Sequence, residues 1–130
     1  MESSIYEYDW ADSSIDSIHI EYDKVIILVS LDETFESGVP MQRPVNIICN
    51  NVVGMTDLCM WDDTDVFSVR LNEVTDQGNA FLSKIYRAYG TDKSSSACKP
   101  LKDHLCDLTI ELANRISFHV YCYQVTVSEQ

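Results

Sequence analysis

Apolar side chains alternate with polar ones along several stretches of the chain, a pattern typical of half-buried β-strands. In residues 18–22, isoleucine and tyrosine alternate with histidine and glutamate. The alternation resumes over residues 25–31, where the second face is apolar as well. This pattern predicts a hairpin over residues 17–31 with a tight turn at residues 23–24, and its second strand is expected to be central and covered on both faces.

The same periodicity predicts further strands over residues 5–10, 45–49, 66–74, 106–112 and 116–122. In the first of these, Tyr6, Tyr8 and Trp10 share one face, and in the strand over 66–74 Phe67 and Val69 do so. The parity of the apolar positions changes at the end of the last strand, which a bulge or burial on both faces would explain.

One segment instead has a helical period, because Phe81, Ile85 and Tyr89 recur at intervals of four residues. We therefore expect residues 1–130 to form a single globular domain of the α+β, mostly β class. It would be an antiparallel sheet or sandwich of about six to eight strands with one packed helix at about residues 79–89.

Negative charge is concentrated in the first half of the chain. The net charge is −12, and the carboxylates of residues 66–130 are balanced by cations, so the excess belongs to residues 1–65. Direct nucleic-acid binding and attraction to anionic membranes both require Lys and Arg, so we expect neither. A basic protein is the partner class that this charge favours.

Cysteine usage and the first residues bear on the compartment. Five cysteines are present, an odd number, at positions Cys49, Cys59, Cys98, Cys106 and Cys122. The sequence starts without the basic and apolar regions of a secretory signal. We therefore expect a cytoplasmic protein whose thiols are mostly buried and not in disulfides.

No motif indicates an enzyme, a cofactor or a metal. The cluster Asp57, Asp62, Asp63 and Asp65 around Trp61 lacks the glycine and glutamate offsets of a calcium loop. His119 has the opposite strand parity from Cys122, which argues against a zinc site shared by them. Gly-rich phosphate loops and nucleophile elbows are absent from the sequence. We expect no catalytic residues, no cofactor and no metal site.

Aromatic residues flanked by carboxylates are the best candidates for partner contact, since Tyr and Trp anchor interfaces and carboxylates pair with Lys or Arg. The alternative is that Tyr6, Tyr8 and Trp10 line the core while the carboxylates between them face water. The predicted partner-binding residues are Glu7, Asp9, Trp10, Asp12, Asp16, Asp57, Trp61, Asp62, Asp63 and Asp65.

In size, acidity, absent signal sequence and the hairpin layout that ends in residues 116–122 (ISFHVYC), the chain resembles bacterial immunity proteins. These include the immunity proteins of contact-dependent growth inhibition systems. The resemblance implies a cytoplasmic inhibitor that binds and neutralises a basic toxin, such as a nuclease. Two alternatives stay open: a nucleic-acid mimic that blocks a DNA-binding or defence protein, and a non-enzymatic structural or small-ligand-binding β domain.

Overall fold

The computed structural model describes residues 2–34, 40–58, 60–61, 64–74 and 105–129. Nine strands and one short 3-10 turn lie in these ranges. The strands are β1 (Glu2–Ser3), β2 (Ser14–Glu21), β3 (Lys24–Thr34), β4 (Pro40–Asn50), β5 (Gly54–Thr56), β6 (Val66–Glu73), β7 (Cys106–Leu112), β8 (Ser117–Cys122) and β9 (Gln124–Glu129), and the 3-10 turn is Ile5–Glu7.

The strands form two antiparallel sheets that share one core. The five-stranded sheet has the order β1-β9-β4-β3-β2, and the four-stranded sheet has the order β5-β8-β7-β6. Inward side chains of both sheets belong to a single buried cluster. The expected mostly β, antiparallel fold is thus confirmed, with eight strands of three residues or more and one of two residues. The helix expected at residues 79–89 lies outside the described residues and stays a prediction.

The first predicted hairpin is present as β2 and β3, with its turn one residue earlier than expected, at Tyr22 and Asp23. Tyr22 adopts a left-handed φ of 52° there. Strand β3 is central in its sheet, as predicted, between β2 and β4. Over residues 24–31, its core face is fully buried, while its other face is half-buried.

The strand predicted over residues 5–10 is wrong, because residues 5–7 form a 3-10 turn. The hydroxyl of Ser4 accepts a hydrogen bond from the Tyr6 amide, and the Glu7 carboxylate accepts one from the Ser4 amide at 3.1 Å. This is a capping box, whose Ser-x-x-Glu pattern is legible in the sequence and competes locally with strand pairing. As a result the aromatic residues do not share a face: Tyr6 is 70% exposed, whereas Trp10 is 5% exposed.

The change of parity after β8 has a topological cause. Strand β8 belongs to the four-stranded sheet and β9 to the five-stranded one, and only Tyr123 lies between them. The Tyr123 amide donates to the carbonyl of Asn50 at 3.2 Å, which ties the crossing point to the end of β4. The chain therefore passes from one sheet to the other without a loop, so inward positions fall on the other parity.

Candidate functional site

The segment between the 3-10 turn and β2 connects the two sheets and carries several of the predicted site residues. The Asp12 amide donates to the Val66 carbonyl at 2.9 Å, and the Val66 amide donates to the Ser13 carbonyl at 2.7 Å. These two bonds occupy the outer edge of β6 at its first residue. They place Asp12, which has a left-handed φ of 64°, directly beside the residues that begin β6.

Asp65 joins the same end of the sandwich. Its carbonyl accepts a hydrogen bond from the Ala113 amide at 2.8 Å, which links it to the turn between β7 and β8. That turn is closed by the Leu112 amide, which donates to the Ile116 carbonyl at 2.9 Å. Asp12, Asp65 and the β7–β8 turn thus meet at one end of the four-stranded sheet.

Two large apolar side chains are exposed at this end. Phe67 is 58% exposed and Ile116 is 46% exposed. The prediction that Phe67 shares the face of Val69 is wrong, because the β6–β7 register shifts between Val66 and Ser68 and leaves Phe67 as the extra residue of a bulge. Here, the Asp65 surface means the group of Asp12, Asp65, Phe67 and Ile116. Neither apolar member was predicted as a site residue. The bulge at Phe67 has no clear signal in an alternating pattern, and Ile116 lies just before β8, which begins at Ser117.

Among the described residues, no salt bridge neutralises the carboxylates in and near the Asp65 surface. Asp9, Asp12, Asp16 and Asp65 are exposed, and in the described part of the chain none of them is recorded in a salt bridge. By contrast, Arg43 pairs with Glu129, and Arg70 lies 3.9 Å from Glu111. Arg115 is an exposed cation in the β7–β8 turn, at the same end of the sheet.

The remaining predicted site residues have other roles or other places. Glu7 caps the 3-10 turn, and Asp16 accepts a hydrogen bond from the Ser30 hydroxyl. Trp10 is a core residue, and its indole nitrogen donates to the Ile5 carbonyl at 2.7 Å, so its surface is not accessible to a partner. Trp61 is half-buried against the core. Asp62 and Asp63 lie outside the described residues.

Asp57 and Asp65 do not form one cluster. Asp57 follows β5, and Asp65 precedes β6. Strands β5 and β6 are the two opposite edges of the four-stranded sheet, with β8 and β7 between them. Proximity in sequence suggested an acidic loop, but the sheet order places the two ends of that loop at opposite edges.

A second polar group lies on the outer face of the same sheet. His119 Nδ1 is 2.9 Å from Asp107 Oδ1 and 3.1 Å from the Thr109 hydroxyl. The register explains the meeting, because Thr109 is opposite His119 and Asp107 is opposite Tyr121. The His119 and Tyr121 rings stack with centroids 6.0 Å apart. An aspartate in this position fixes the orientation of an imidazole, as it does in catalytic and structural pairs alike.

Tyr121 is buried at the side of this group. Burial raises the pKa of the Tyr121 phenol; a hydrogen bond with Thr56 opposes the rise in pKa, and the carboxylates of Asp107 and Asp57 add to it. The phenol therefore stays protonated and neutral over the ordinary pH range.

Comparisons of the chain with protein-family models, with curated proteins and with solved structures give no match. Among the described residues, no group of three His, Cys, Asp or Glu side chains is arranged to hold a metal ion. The helical part of the described structure contains no segment long and apolar enough to cross a membrane.

Proposed function

We propose that the chain is a non-enzymatic, acidic interaction protein that binds a basic protein, and that the Asp65 surface is part of its contact area. The observation that carries the proposal is that backbone hydrogen bonds bring the segments of Asp12, Asp65 and the β7–β8 turn together at one end of the four-stranded sheet. The side chains of Asp12, Asp65, Phe67 and Ile116 are exposed in these segments. Apolar anchors supply buried area in a complex, and surrounding carboxylates pair with Lys or Arg and select the partner.

The net charge of −12 supports the choice of partner. A field of this sign accelerates encounters with a basic surface and disfavours acidic ones. Within this class we propose a cytoplasmic bacterial immunity protein that neutralises a toxin. A nuclease toxin fits well, since its active site must be basic to bind phosphate, and carboxylates can occupy the positions of those phosphates.

The neighbouring genes provide the first test. An adjacent gene for an exported toxin with a basic toxic domain agrees with the proposal, and that domain is then the binding probe. A prophage neighbourhood would instead support the nucleic-acid mimic. If the domain fails to bind at low salt, or binds equally fast at about 0.05 M and about 0.5 M salt, the electrostatic basis of the proposal is refuted.

Matched charge neutralisation tests the surface itself. The double variant Asp12→Asn, Asp65→Asn removes two charges, and asparagine tolerates the left-handed φ of Asp12. The control, Glu21→Gln with Asp23→Asn, removes two exposed charges at the β2–β3 turn. We expect the first pair to slow association with the toxin domain by about fivefold and the control to change it by much less. Equal on-rates for the two double variants would show that the Asp65 surface has no special role.

A further inference from the structure

Three of the five cysteines meet at the end of the sandwich opposite the β7–β8 turn. Cys106 begins β7 and Cys122 ends β8, and the two are directly opposite in the register. Cys49 comes from β4 of the other sheet. Cys49 and Cys122 are completely buried, Cys106 is half-buried, and all three are thiols rather than disulfides. Cys59 and Cys98 lie outside the described residues.

The route of the backbone explains why Cys49 reaches Cys122. The residues that follow them, Asn50 and Tyr123, are joined by the hydrogen bond at the point where the chain changes sheets. The two thiols are in hydrogen-bond contact across the core. This hydrogen bond, given by Cys49 to Cys122, is the largest cause that lowers the pKa of Cys122; burial opposes it, and a backbone hydrogen bond from Gln124 assists it.

The two opposite cysteines differ in character. Burial raises the pKa of the Cys106 thiol, yet Cys106 is the more accessible of the pair. Cys122 is shielded, but the hydrogen bond from Cys49 favours its thiolate, and the thiolate is the nucleophile in disulfide exchange. Directly opposite residues of antiparallel strands have Cα atoms about 4.5–5.5 Å apart, within the range that a disulfide spans.

We propose that Cys106 and Cys122 are a thiol–disulfide couple that is oxidised by low-molecular-weight disulfides of the glutathione type, with Cys49 as a positioning residue. In the first step the Cys106 thiolate attacks the small disulfide, whose S–S bond breaks, and one small thiol leaves. In the second step the Cys122 thiolate attacks the Cys106 sulfur, and the second small thiol leaves. The protein loses two electrons and two protons, and the small disulfide gains them.

The test uses the full chain with Cys59→Ser and Cys98→Ser, so that the three clustered thiols are the only ones present. The probe is an aromatic disulfide whose thiolate leaving group absorbs visible light. We expect two equivalents of thiolate to be released in succession and peptide mapping to find a Cys106–Cys122 disulfide. Cys122→Ser should release one equivalent and keep a stable adduct on Cys106, whereas Cys106→Ser should react much more slowly.

Variants of Cys49 separate a chemical role from a structural one. In Cys49→Ala the first release should be unchanged, while the second becomes slower and its pH midpoint moves upward, because the donor to Cys122 is lost. Cys49→Ser keeps a donor and should restore the rate and the midpoint. In the protein that keeps Cys49, Cys106 and Cys122, release of a single equivalent, no reaction without denaturant, or a Cys49–Cys122 product would each overturn the proposal. None of these results depends on the binding of a basic partner.

Discussion

Replacing Trp10 by phenylalanine tests whether this residue stabilises the core or anchors a partner. The change removes the indole N–H, which leaves the Ile5 carbonyl without its buried donor, and this costs about 1–3 kcal/mol. The smaller ring also leaves a cavity worth about 1 kcal/mol. The sum, about 2–4 kcal/mol, is a large part of the roughly 5–15 kcal/mol that stabilises a typical domain.

Tyr6→Phe is the matched control for Trp10→Phe. Like Trp10, Tyr6 makes a hydrogen bond from its side chain to a backbone carbonyl. Its hydroxyl donates to the Leu71 carbonyl at 3.0 Å, but the residue is 70% exposed. Water can replace that bond, so its loss should cost about 0.5 kcal/mol.

Urea denaturation measures both variants. With a slope of about 2 kcal/mol/M, the midpoint of Trp10→Phe should fall by about 1–2 M while its slope stays constant. Equal midpoints for the two variants would refute the core role of Trp10.

Two further predictions concern the outer face of the four-stranded sheet. The pKa of Tyr121 is raised in the folded state, so the protonated phenol stabilises the fold. This stabilisation is complete below the unfolded-state pKa of about 10 and is lost as the pH rises through the folded-state pKa. The free energy of unfolding should therefore decline less between about pH 9 and 11 in Tyr121→Phe than in the fully exposed control Tyr22→Phe, and identical declines would contradict this. Asp107→Ala leaves His119 and Thr109 without their shared acceptor and should lower the free energy of unfolding by about 1–3 kcal/mol. The exposed control Asp23→Ala should lower it by less than about 0.5 kcal/mol. Thermal unfolding distinguishes these two cases, and a similar melting temperature for both would exclude a stabilising role of the His119 group.

The hairpins were predictable because each depends on neighbouring residues. Period-two alternation indicated β2 with β3 and β7 with β8, since a strand with one buried face imposes that period on its own sequence. The 3-10 turn was also within reach, because Ser4 and Glu7 have the spacing of a capping box. For these residues, the alternating aromatics predicted a strand instead, but the local hydrogen bonds of the capping box determine the structure.

The arrangement of the site could not be predicted in the same way, because it depends on sheet order and register. Only the order of the strands shows that Asp57 and Asp65 lie at opposite edges. The contact between Asp107 and His119 depends on the register of β7 against β8, and the register could not be predicted from the turn length alone. The position of Asp12 beside the start of β6 depends on two backbone hydrogen bonds with Val66, and backbone bonds do not require particular residue types.

The register shifts in β2 and β6 have a consequence for solubility. Each of these strands forms one of the two edges of its sheet, and straight edge strands offer unpaired backbone groups to other chains. Each edge is interrupted near its first residues, by Asp16 in β2 and by Phe67 in β6. A regular ladder cannot continue past an extra residue, and at Asp16 a charge would also have to be desolvated. Irregular edges of this kind disfavour edge-to-edge pairing between copies of a chain, whereas perfectly alternating, straight edge strands would favour it.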